Sequence, residues 1–80
     1  MTGAELNRLR WRCQRGMLEL DHLLRGFLDR DYATAPPDLR AAFETVLEME
    51  DADLLDWLTG RLPSASPMQA RLLALLRGGQ

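Results

Sequence analysis

The chain has 80 residues, with ten Arg and no Lys against twelve Asp and Glu, and a formal net charge of −2. A chain of this size makes one small domain and buries only about 60% of the surface its unfolded form exposes, which leaves little room for a large substrate cavity beside a core. One cysteine excludes an intramolecular disulfide and a Cys-rich metal site, and no apolar run nears the roughly 20 residues that span a bilayer.

A binding or accessory module is therefore the default expectation. Leu dominates the apolar residues, while aromatic and β-branched residues are few, which favours helices. Charge is unevenly spread. Residues 1–30 carry six Arg against four acids (+2), residues 31–60 one Arg against eight acids (−7), and residues 61–80 three Arg and no acid (+3). Arg suits bidentate recognition of carboxylates and phosphates; an all-Arg usage is more readily read as the mark of a GC-rich genome. The N-terminus, with Glu5 and no apolar h-region, does not read as a secretory signal, and a soluble intracellular protein is expected.

Thr2-Gly3-Ala4-Glu5 has the form of a capping box. Behind it Leu6, Leu9, Cys13 and Met17 keep helical spacing, which predicts a first helix over roughly 3–14 with Gly16 as its left-handed stop. Arg8, Arg12 and Arg15 share another face, and Trp11 lies off the apolar stripe. Leu20, Leu23, Leu24, Phe27 and Leu28 form a wide apolar face and predict a second helix from about Met17 to Arg30. Gly26 inside it costs about 1 kcal/mol against Ala, so a close packing contact is expected there.

Ala33-Thr34-Ala35-Pro36-Pro37 is a turn, with Pro37 suited to a first helical position. Leu39, Ala42, Phe43, Val46 and Leu47 then predict a third helix to about Glu48. Asp51 is expected as N-cap of a fourth helix, with Asp53 in its first turn. That helix carries Leu54, Leu55, Trp57 and Leu58 and stops at Gly60. Ser66, Pro67 and Gln69 form a second capping box, opening a fifth helix along Met68, Leu72, Leu75 and Leu76 that Gly78-Gly79 ends. No segment alternates with period two. The fold class is all-α, a compact bundle of five short helices in a single domain over residues 1–80.

Chemistry is sparse. His22 is the only histidine, beside Asp21 and one step off the apolar stripe, and reads as a partly exposed structural residue. Cys13 lies on the stripe of the first helix and reads as a buried, inert thiol. No carboxylates converge with His22 at metal-ligand spacing, and the glycines form no phosphate loop. The acidic run 48–56 reads as a solvated face and a cap. Arg8, Arg12 and Arg15 could track phosphates, but no adjacent helix supplies a second basic or aromatic surface, so nucleic acid is not expected as a partner. Nothing marks an enzyme.

One stretch remains, Arg15-Gly16-x-x-Glu19, where the apolar periodicity breaks between two opposite charges. It reads in two ways. Arg15 and Glu19 can form an i, i+4 ion pair beside a helix cap, worth a few tenths of a kcal/mol. Alternatively, a break without a Cβ leaves the backbone approachable, with an Arg fork and a carboxylate on either side as a docking patch.

The run from Arg8 to Asp21 resembles the FAD assembly factors of succinate dehydrogenase and fumarate reductase, small all-helical proteins whose signature is Arg-Gly-x-x-Glu. Agreement continues through Phe27, Asp31-Tyr32 and Phe43-x-x-x-Leu47-Glu48, and is strong from Asp51 to Gly60. It covers most of residues 8–60. The motif alone is weak; joined to Asp-x-Asp-Leu-x-x-Trp-Leu it is specific. The resemblance implies a non-enzymatic chaperone that binds the flavoprotein subunit of succinate dehydrogenase, with fumarate reductase as a second candidate client. It implies promotion of covalent FAD attachment there by holding the flavin and capping domains in a competent arrangement.

On that resemblance Arg15, Gly16 and Glu19 face the flavoprotein, and Trp11, Met17, Asp21, Arg8 and Arg12 complete the surface. Catalytic, cofactor and metal residues are not expected, nor is tight FAD binding by the isolated chain. A monomer in the bacterial cytoplasm, without membrane insertion, is the accompanying expectation. Gln14 stands where many members have another Arg, which weakens the electrostatic part of docking, and the tail after Gly78 is short. The rivals are an antitoxin-like regulatory module and a generic helical adaptor with no role in flavinylation.

Overall fold

Helical spacing of leucines decides where each element lies, and the computed structural model follows it closely over the described residues, 3–78. The helices are α1 (Gly3–Arg12), α2 (Leu18–Arg30), α3 (Pro37–Leu47), α4 (Asp51–Leu58) and α5 (Pro67–Gly78), with a 3-10 turn at Tyr32–Thr34. Their apolar stripes meet in one core in which Leu24, Phe27, Phe43, Val46, Leu54, Trp57 and Leu72 are fully buried. α5 packs across α2 and α3, and α1 lies on α2. Phe43 is the aromatic centre, its ring 4.7 Å from Phe27 and 5.6 Å from Tyr32 between centroids, tilted against both as ring quadrupoles prefer. The radius of gyration is 11.6 Å, close to the ~12 Å expected of a compact chain this long.

The helix ends show where local sequence suffices. Gly60 has φ +87°, and its N–H and that of Arg61 donate to the Trp57 and Asp56 carbonyls, the paired bonds of a Schellman stop. Ser66 Oγ accepts from Gln69 N at 3.1 Å, and Gln69 Oε1 reaches back to Ala65 N at 2.7 Å. This box closes one residue further out than the expected form. The Thr2 box and the Gly79 stop lie outside the described residues.

Three expectations need correction. First, α1 ends at Arg12, not 14. The Cys13 N–H is shared between the Leu9 and Arg10 carbonyls and Gln14 N–H bonds Trp11, so the last turn tightens. Gly16, with φ +75°, then sits in a separate loop before α2. Secondly, Asp51 is the first residue of α4 and Glu50 its N-cap, because the Asp51 carboxylate is turned to Arg15. Thirdly, Gly26 makes no close helix contact. A Cβ there would meet only the Arg30 guanidinium at 3.3 Å.

Candidate functional site

The loop from Cys13 to Met17 joins α1 to α2, and its shape is set by one side chain of α2 and one of its own. Asp21, in the first turns of α2, accepts from Arg15 N at 2.8 Å and from Gly16 N at 3.2 Å. Two amides preceding the helix are thus held by one carboxylate, a charge-assisted version of the backbone satisfaction that capping boxes provide. Gly16 accepts the resulting positive φ at no steric cost, and a Cβ at that position would meet nothing within 4 Å.

Arg15 turns the other way, across the bundle. Its Nε donates to the Arg12 carbonyl at 3.1 Å and Nη1 to the Met49 carbonyl at 2.7 Å. Nη2 donates to the Leu47 carbonyl, and Nη1 also pairs with Asp51 at 3.1 Å. Leu47 ends α3, so the guanidinium supplies a cation and donors where that helix leaves carbonyls unpaired. The side chain is only 14% exposed. The i, i+4 pair with Glu19 does not form: the Arg15 carboxylate partner is Asp51. Arg77 does the same for α4, its Nε donating to the Leu58 carbonyl at 3.0 Å.

Around this pinned loop the other sequence candidates are distributed unequally. Trp11 is 73% exposed on the last turns of α1, and Gly16 and Glu19 are exposed while Met17 and Asp21 are half-buried. Glu19 lies in the first turn of α2, where its charge opposes the helix dipole. Arg8 and Arg12 face a different cleft, lined also by Glu5, Leu9, Tyr32 and Glu44. There Arg12 donates to the Glu44 carbonyl at 3.3 Å, and Tyr32 donates to the Glu44 carboxylate at 3.1 Å. The loop thus gathers Arg15, Gly16, Glu19 and Asp21, whereas Arg8 and Arg12 lie toward α3.

Leu18 is the residue that sequence reasoning passed over. It is 87% exposed, the most open large apolar side chain described. The signal was available, since Leu18, His22, Arg25 and Asp29 fall on one face of α2 and the other three are polar. A leucine on a polar face has no core to serve.

Cys13 is fully buried, and that burial raises its thiol pKa to about 11. Tyr32 is raised too, first by burial and then by its bond to Glu44. His22 is exposed. Among the described residues, no group of His, Cys, Asp and Glu is placed to hold a metal ion, and no helix is long and apolar enough to cross a membrane.

Residues 7–79 match the family model described as flavinator of succinate dehydrogenase. The chain is similar to the FAD assembly factor SdhE of Shewanella oneidensis, 39% identical over 98% of this chain and 95% of that protein. It is similar also to those of Methylococcus capsulatus, 42% identical over 92% and 89% of the two chains, and of Pseudomonas putida, 39% identical over 91% and 87%. No solved structure matches it. With the helical bundle, the motif loop and this full-length similarity together, the chain belongs to the family of flavinators of succinate dehydrogenase.

Proposed function

We infer that this chain binds the flavoprotein subunit of succinate dehydrogenase and promotes covalent attachment of FAD to it. The observation that carries the reading is similarity to FAD assembly factors along nearly the whole chain, motif loop included. The docking surface in this reading centres on Gly16 and Glu19, with Trp11 and Met17 around them, Arg15 and Asp21 at its base, and Arg8 and Arg12 at its edge in the neighbouring cleft toward α3. Covalent flavinylation needs the flavin held against its acceptor while charge on the ring is stabilised. A helper can lower that barrier by restricting domain motion in its client, with no catalytic group of its own. A thiol kept protonated by burial and a single exposed imidazole accord with such a role. The reading includes fumarate reductase as a second candidate client, a monomeric free chain in the cytoplasm, and no tight FAD site on the chain itself.

The test is covalent flavin fluorescence of the succinate dehydrogenase flavoprotein after denaturing electrophoresis, in a host lacking this protein and with the wild-type chain restored. Fluorescence that returns only on restoration supports the reading. Equal bands in both lanes would sink it in favour of a helical adaptor with another client. Restoration with Gly16→Arg or Glu19→Ala should leave the band absent while helical circular dichroism of the purified variants persists; comparable loss of helix and of function would make the patch structural.

A further inference from the structure

The motif loop is held from two directions by bonds that never leave the chain. The Asp21 carboxylate grips the Arg15 and Gly16 amides at 2.8 and 3.2 Å. The Arg15 guanidinium reaches 34 to 36 residues along the sequence to the Met49 carbonyl and Asp51, and also takes the Leu47 carbonyl. Two of the charged groups that a sequence reader would aim at a partner are thereby spent inside the fold. The groups left outward on the same loop and helix start are Gln14, Gly16, Leu18 and Glu19.

We propose that Arg15 and Asp21 are positioning residues: they latch the Gly16 loop to α2 and to the α3–α4 junction, so that Gly16, Leu18 and Glu19 meet the flavoprotein already arranged for docking. This rests on the reading that the chain docks on that subunit. The physical ground is preorganisation. A five-residue loop left to fluctuate would be ordered at the moment of binding, and that ordering subtracts from affinity. A carboxylate accepting two amides, and a guanidinium held by the Arg12, Leu47 and Met49 carbonyls and by Asp51, remove that freedom in the free chain. Asp51, 50% exposed at its side chain and on a different helix, becomes part of the same device although it lies outside the motif.

The test separates the latch from contact. In the free chain, hydrogen exchange of the Arg15 and Gly16 amides is followed by NMR for wild type and for Asp21→Asn, a nearly isosteric change that puts a donor where an acceptor stood. Exchange at these two amides should accelerate about tenfold or more, the loss of charge-assisted bonds, while amides in α5 are unchanged. The same variant should bind purified flavoprotein about tenfold more weakly. Asp51→Asn and Arg15→Lys serve as second variants. Their effects on affinity should be less than additive when combined, because both act through one bond network.

Faster exchange with unchanged affinity would overturn the positioning role. Unchanged exchange would show that the latch does not hold the loop. Additive losses for Asp51→Asn and Arg15→Lys would make Arg15 a direct contact instead. Failure of the wild-type chain to bind flavoprotein would refute the docking reading, and with it the positioning role, while the exchange data would still report on the latch itself.

Discussion

Arg15→Met removes a charged fork and keeps an alkyl stem of comparable reach, which isolates what the guanidinium contributes to the fold. Its bonds to the Leu47, Met49 and Arg12 carbonyls are largely shielded, since the side chain is 14% exposed. Hydrogen bonds to a charged group contribute about 1.5–3 kcal/mol, and water can replace only some of these. The Asp51 partner is 50% exposed, so that ion pair adds at most ~1 kcal/mol. Together these give a loss of about 2–4 kcal/mol. The control is Arg10→Met, which breaks a 2.8 Å pair with Asp29 whose side chains are 41% and 46% exposed. Such a pair contributes about 0.2–1 kcal/mol. Urea unfolding followed by helical circular dichroism, with an unchanged slope, compares the two directly. In thermal melts the difference corresponds to roughly 4–8 °C per kcal/mol for a domain this small. Equal losses in the two variants would refute the claim that burial and helix-end carbonyls, rather than the mere presence of an ion pair, make Arg15 matter.

Gly16→Ala introduces a Cβ into open space but onto a backbone at φ +75°. The cost is therefore conformational alone, about 1–2 kcal/mol, and a neutral result in the same urea assay would count against a left-handed loop in solution. Gly26→Ala should instead stabilise by about 0.5–1 kcal/mol. The only neighbour a Cβ would meet is the end of the flexible, exposed Arg30 side chain, and a lower melting temperature would mean that Arg30 cannot move aside. Cys13 should resist alkylation in the native chain at pH 8 and react at once in urea. Its folded pKa, about 11, lies above the ordinary 9.0. Its contribution to stability is present below pH 9, and is lost as pH rises through the window between 9 and 11, because only the unfolded thiol then ionises. A Cys13→Ala variant should have a flatter pH profile across that window; an identical profile would rule the thiol out as its cause.

Much of the architecture could be read from local pattern. Of the stripe Leu20, Leu23, Leu24, Phe27 and Leu28, all but Leu23 are buried as the spacing required, and Leu23 packs partly buried against them. Pro37 and Ser66 open helices, and Gly60 closes one. These outcomes depend on side chains within a turn or two of each other. Leu18 was legible too, as an apolar residue stranded on a polar face. The true end of α1 and the place of Gly26 were less so, because each depends on what lies opposite in space.

The candidate site divides along the same line. Its position, at the glycine break between two amphipathic helices, belongs to the sequence by itself, since periodicity and the left-handed tolerance of glycine are local properties. The direction of its charges belongs to the tertiary structure. Arg15 points to the end of α3 and to Asp51 rather than to Glu19 four residues away, because folding brings a set of unpaired helix-end carbonyls within reach. A partly buried guanidinium gains more from those than from an exposed carboxylate in water.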